Sequence, residues 1–247
     1  MTSTTHRWPV RVARRHIGAP PLTTTRARYR GSRVWVLETG AGELCHLTCD
    51  QDGLTPGGIT VASAELALLD LDRLVEAAPA TVSCQVGVAP VDPARLTLVG
   101  DTLRAAPRRD AYLNDAAALA GAVARDPRRA SALIGRGCGQ TPAGDDLVLG
   151  ALLGLTLTGD PRRAELTDVV TGRLAATTAT SRHLLGWGVR GEFPEVLLAV
   201  AHALTGGEAP RRAVTALLNW GSTSGWHVGT GLVAAVDSAA STQRSAA

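Results

Sequence analysis

The stretch from Asp145 to Leu157 constrains the fold most. After its two aspartates it reads Leu-Val-Leu-Gly-Ala-Leu-Leu-Gly-Leu-Thr-Leu, with no charged position at any helical phase. A helix that is apolar all round must be enclosed by other protein or by lipid. This run is too short for lipid, since a bilayer span needs about 20 apolar residues. The pattern therefore predicts a central helix packed inside a bundle. Pro161 to about Leu174, Thr178–Gly186, Phe193–Leu204, Pro210–Trp220 and Thr223–Val236 supply the neighbours, with apolar residues at helical spacing. Upstream, Ala111–Ala124 reads as another helix. It stops before Asp126-Pro127, an acid able to cap and a proline suited to the first turn of a short successor.

The preceding part reads differently. Arg33–Leu37, Leu44–Thr48, Ile59–Val61, Thr81–Val86 and Arg95–Val99 are short β-prone runs. Turn signals at Glu38–Glu43, Asp52-Gly53 and Pro56-Gly57-Gly58 separate the first three. Ala62–Ala78 reads as one short helix. Several brief strands with Gly/Pro turns suggest a small barrel or curled sheet. The expected fold is therefore α+β, a strand-rich, barrel-like or curled-sheet half followed by a helical bundle. The expected organisation is an arm (1–30), a strand-rich domain (31–106), a helical domain (107–237) and a frayed tail (238–247).

Composition narrows the function. The 247 residues contain no lysine, which removes Schiff-base chemistry and a Walker-type phosphate lysine. Aromatics are 3%, too few for a base-stacking platform. Residues 1–33 carry eight arginines and no acid, and the remainder of the chain is mildly acidic. Such an arm can touch nucleic acid or an acidic surface. No zinc or helix-turn-helix signature follows it, which argues against nucleic acid as the partner. Cys45, Cys49, Cys84 and Cys138 form no C-x-x-C pair and read as reduced thiols. Met1–Pro9 lacks the apolar run of a signal peptide. A cytoplasmic protein without membrane contact is expected.

The chemistry is concentrated just before the apolar helix, in Gly135-Arg136-Gly137-Cys138-Gly139-Gln140-Thr141-Pro142-Ala143-Gly144-Asp145-Asp146. Four glycines in ten residues let backbone amides approach a ligand closely. A loop opening onto a helix N-terminus favours phosphate or carboxylate. Asp145 and Asp146 suit the helix dipole but repel a bare anion. A divalent cation such as Mg²⁺, held by one or both acids, reconciles the two. The structural alternative is a rigid connection with two capping acids.

Two later segments repeat the design. In Thr177–Leu185, Thr178 or Thr180 can cap a helix and Ser181 can offer its hydroxyl to a bound oxygen. In Trp220–His227, glycines bracket Ser222, Thr223 and Ser224 before an apolar helix, and such hydroxyls and amides can cradle an anion. His227 is the best-placed general base in the chain, although a core histidine accounts for it equally well.

These residues resemble a bacterial family that includes the AllH subunit of oxamate carbamoyltransferase. The family's G-x-G-x-G-x-T-P-S-G-D-D-x-x-x-G run is matched at Gly135, Gly137, Gly139, Thr141, Pro142, Gly144, Asp145, Asp146 and Gly150, with Ala143 in place of serine. Its G-x-T-S-G-x-D pattern is matched at Gly221, Thr223, Ser224 and Gly225, with His227 in place of aspartate. Thr177–Leu185 and Gly191–Leu197 are similar to two further family segments. The likeness covers roughly residues 133–235. It implies a subunit that works with partner subunits, moving a carbamoyl group between oxamate and phosphate in nitrogen metabolism. The combined expectation is carbamoyl or phosphoryl transfer on a small carboxylate or amide. Carbamoyl phosphate, phosphate and oxamate are the candidate ligands. Asp145, Asp146 and His227 are the catalytic candidates, and Asp145 and Asp146 the metal ligands. Gly135, Arg136, Gly137, Gly139, Thr141, Gly144, Ser181, Gly221, Thr223 and Ser224 are the candidate ligand-binding residues, with Arg136 able to clamp an anion in bidentate fashion. A non-catalytic anion-binding or scaffolding subunit is the alternative.

Overall fold

The computed structural model describes residues 14–19, 26–31, 34–49, 53–61, 80–107, 113, 115–207 and 209–246. The short helix expected over Ala62–Ala78 lies outside them. The chain divides into two compact units, Met1–Ser83 and Cys84–Ala247.

Among the described residues, the first unit holds six strands: β1 (Arg14–His16), β2 (Arg26–Arg30), β3 (Val34–Glu38), β4 (Leu44–Cys49), β5 (Ile59–Val61) and β6 (Ala80–Val82). They form one mixed sheet in the order β2-β3-β4-β5-β1-β6. Trp35, Leu37, Cys45, Leu47, Cys49, Ile59 and Val61 make its core. The sheet is open and does not close into a barrel. β2 and β6 are its two ends, and β2 reads Arg-Ala-Arg-Tyr-Arg, a charged edge that resists further pairing.

Two described stretches of the basic arm, Arg14–His16 and Arg26–Arg30, are thus strands of the sheet. Arg28 and Arg26 both reach Glu38, at 2.6 and 2.7 Å, and the Arg30 guanidinium lies 4.6 Å from the centre of the Trp35 ring. These arginines, expected to be available to a partner, are engaged within their own sheet.

The second unit is helical: α1 (Pro93–Ala105), α2 (Ala116–Arg125), a 3₁₀ turn (Pro127–Ala132), α3 (Ala143–Thr158), α4 (Arg162–Arg173), a 3₁₀ turn (Leu174–Ala176), α5 (Ala179–Gly188), α6 (Glu195–Leu204), α7 (Pro210–Leu218) and α8 (Ser224–Ala246). Arg95–Val99, expected as a strand, lies inside α1. Asp92 caps that helix by accepting from the Ala94 N–H at 2.8 Å, Pro93 fills its first turn, and Leu96, Val99, Gly100 and Leu103 are its buried stripe. α8 continues through the stretch expected to fray, as far as Ala246.

α3 is the central helix, buried from Ala143 to Leu157. Its glycines set the packing. A methyl on Gly150 would stand 2.0 Å from the Val228 carbonyl oxygen, and one on Gly154 would stand 2.7 Å from Ala235 Cβ. From the other side, a methyl on Gly231 would meet the Leu147 carbonyl oxygen at 2.1 Å. Gly150 lies against Val228 and Leu232, and Gly154, one turn on, against Leu232, Ala235 and Val236, so α3 and α8 run parallel with backbones nearly touching. Their N-termini therefore lie at the same end of the unit.

Candidate functional site

Parallel packing brings the glycine loop beside the start of α8. Thr141 Oγ1 and Ser224 Oγ are 2.7 Å apart. On the loop's other side, the Thr178 hydroxyl donates to the Gln140 carbonyl oxygen at 2.5 Å, and the Thr180 hydroxyl donates to Gln140 Oε1 at 3.2 Å. Thr178 also caps α5, its Oγ1 accepting from the Ser181 N–H at 3.1 Å. Loop 135–142 is thereby stitched to the starts of α5 and α8 while leading into α3. Three helix N-termini converge, and each contributes positive potential.

Asp145 is the inner strut. It is 2% exposed, its Oδ1 accepts the Gly135 N–H at 2.7 Å, and its Oδ2 accepts the Thr177 hydroxyl. Gly135 has φ +82°, and a methyl there would stand 2.4 Å from the Ala176 carbonyl oxygen, so no other residue fits this contact. Asp146, 1% exposed, lies one position further along the same first turn.

Ser181 is 1% exposed, and its hydroxyl oxygen has no hydrogen-bond partner among the described residues. It shares the buried face of α5 with Leu184, Leu185 and Gly188. A methyl on Gly188 would stand 3.0 Å from Leu149 Cδ1, so this face packs on α3.

The free N–H groups expected at the first turn of α3 are not found there. The first turn of α3 is occupied internally: the Gly144 N–H donates to the Arg136 carbonyl, and those of Asp145 and Asp146 donate to the Pro142 carbonyl. In the loop, the amides of Gly137, Cys138, Gly139, Gln140 and Thr141 have no acceptor among the described residues. Positive φ at Gly137 (+124°) and Gly139 (+89°) bends this run into a concavity. Arg136 is exposed beside it, and its guanidinium has no partner among the described residues. The result is a surface seam, open to solvent from Arg136 to Gln140.

Other expected residues lie at its margin. Gly221 is exposed with φ +68°. The Thr223 carbonyl oxygen accepts from His227 Nδ1 at 3.1 Å. His227 is 1% exposed and packs edge-on to Trp226, so its ring is engaged by its own helix. Thr177 and Gln140 had no assigned role. Thr177 heads a T-x-x-x-S segment already noted, whereas nothing in the sequence distinguishes Gln140. Among the described residues, no three of His, Cys, Asp or Glu are grouped so as to hold a metal ion. A separate cleft of about 450 Å³ opens towards the far end of the α3–α8 pair, between Val88, Leu96, Thr158, Asp237 and Arg244.

Residues 133–236, which contain the loop, the strut and both flanking segments, match the family model for oxamate carbamoyltransferase subunit AllH. The likeness covers 104 of the 247 residues. The matched segment begins ten residues before α3 and ends within α8, so the convergence of helix starts falls inside it. No curated protein and no solved structure matches the chain. Among the described residues, no helix is long and apolar enough to cross a membrane.

Proposed function

We propose that the chain is a subunit of a carbamoyltransferase-type assembly, and that its glycine loop holds the phosphate or carboxylate of a small carbamoyl- or amide-bearing metabolite. The observation that carries this reading is the run of five loop amides without acceptors, Gly137–Thr141, beside the exposed Arg136 guanidinium. Three amide-rich helix starts stand behind it. Oxygens of carbamoyl phosphate, phosphate or oxamate would accept from these N–H groups. Arg136 would close over the anion in bidentate fashion.

Within this proposal the two aspartates differ in role. Asp145 holds the loop through Gly135 and Thr177, so it acts as a positioning residue. Asp146, an acceptor-only group when ionised, would face an N–H of the ligand or share a Mg²⁺ ion with ligand oxygens. Such an ion would screen the anion from the acidic pair.

The alternative is a non-catalytic subunit that binds the anion while another chain performs chemistry. It draws support from the internal commitments of the acid–base candidates: Asp145 to Gly135 and Thr177, His227 to Thr223. Calorimetric titration of the purified chain with phosphate, carbamoyl phosphate and oxamate, with and without Mg²⁺, tests binding. Assaying the same protein for carbamoyl transfer separates the readings. Turnover by the chain alone supports catalysis, binding without turnover supports the alternative, and absence of binding contradicts both.

A further inference from the structure

We infer that Ser181 is a specificity-determining residue that reads the uncharged amide end of the ligand, so that the ligand lies with its anion outward on the loop and its amide inward. The inference rests on the anion-loop reading above. Two kinds of polar group meet at the seam and are segregated. Donors lie outside: the amides of Gly137–Thr141 and the Arg136 guanidinium. Acceptors lie inside: the buried carboxylates on the first turn of α3.

Ser181 belongs to the inner set. It sits on the α5 face that packs on α3, between the Thr177–Asp145 contact and the Gly188–Leu149 contact. It follows Thr177 by one helical turn, on the stretch of α5 whose start is tied to Asp145 in the first turn of α3. A buried hydroxyl left without a partner destabilises the protein that carries it, and a ligand that supplies the partner removes the penalty. Buried carboxylates on the first turn of α3 disfavour an anionic oxygen on this inner side, so the group matched to Ser181 is neutral and able both to donate and to accept, as an amide is. A ligand with anionic oxygens at both ends fits this polarity poorly.

The test titrates the full chain with phosphonoacetamide and with methylphosphonate, which share the phosphonate and differ in the amide. The wild type is expected to bind phosphonoacetamide more tightly. Ser181→Ala is expected to weaken phosphonoacetamide about three- to tenfold, the effect of one hydrogen bond, with methylphosphonate unchanged. The melting temperature of unliganded Ser181→Ala should equal or exceed that of wild type, because the variant loses only an unpartnered hydroxyl. Equal weakening of both probes, or a preference that survives the substitution, overturns the inference while leaving the anion loop standing. A melting temperature below wild type also overturns it, by showing that the hydroxyl serves the fold. Failure of the wild type to bind either probe refutes the anion loop itself.

Discussion

The hydroxyls of Thr141 and Ser224, 83 positions apart in the chain, lie 2.7 Å from each other. This contact joins the glycine loop to the first residue of α8, and it depends on α3 and α8 running parallel at very short distance. The packing of two helices far along their length thus fixes the geometry of the seam at their N-termini.

The packing is tested at Gly150. An alanine methyl would stand 2.0 Å from the Val228 carbonyl oxygen, a contact that backbone must move to relieve. Gly150→Ala is expected to cost about 3 kcal/mol in urea unfolding. Gly186, also helical, has nothing within 4 Å of the corresponding position. Gly186→Ala is expected to be neutral or to stabilise by up to about 1 kcal/mol.

The strut is tested at Asp145. Asp145→Ala leaves the Gly135 N–H and the Thr177 hydroxyl without their acceptor, at an expected cost of about 1–3 kcal/mol. Asp145→Asn can keep both contacts, its amide oxygen facing Gly135 and its amide nitrogen donating to the Thr177 hydroxyl. Circular dichroism should be unchanged for Asn. Hydrogen exchange at Gly135 should quicken strongly for Ala and only slightly for Asn.

Thiol chemistry provides a probe of the loop. Cys138 is exposed, whereas Cys45, Cys49 and Cys84 are buried, and burial pushes the Cys45 thiol up to about 12. Native protein should therefore react rapidly with one equivalent of a thiol reagent, and with the other three only on unfolding. A saturating anion on the loop should slow the rapid reaction, while Cys138→Ser should remove it.

The sheet carries a pH dependence of its own. Hydrogen bonds from Arg28 and then Arg26 hold the Glu38 carboxyl down to about 2, against an ordinary 4.5. A depressed acid stabilises the folded form above its unfolded value, and the contribution disappears as pH falls through the folded value. The β2–β3 pairing should loosen between about pH 4.5 and 2. Amide exchange of Ala27 and Leu37 followed across that window checks this, and Glu38→Gln should abolish the transition.

Much of the helical unit was legible in the sequence because its signals are local. Asp126-Pro127 gave a cap and a first turn that the structure contains, with Asp126 Oδ1 accepting the Arg128 N–H. The same Asp-Pro signal at Asp92-Pro93 was outweighed by the alternation of Arg95–Val99, although Leu96, Val99 and Leu103 also follow helical spacing. The sheet was less legible. Two of its strands, β1 and β2, lie in the arginine-rich arm, where charge suppresses the strand pattern, and β2 is held by Glu38 and Trp35 of the neighbouring strand. In the loop, glycine spacing identified the right segment. Which amides remain available depended on carbonyls of Arg136 and Pro142 turning back on the first turn of α3, a tertiary detail that no spacing encodes.

The central claim is that the amides of Gly137–Thr141 bind an anion. The most direct measurement is a phosphate titration of the ¹⁵N-labelled chain, following its amide resonances. Saturable shifts are expected on Gly137, Cys138, Gly139, Gln140 and Thr141, weakened about tenfold or more in Arg136→Gln. Resonances of this loop that stay unmoved, or shifts concentrated elsewhere in the chain, would contradict it.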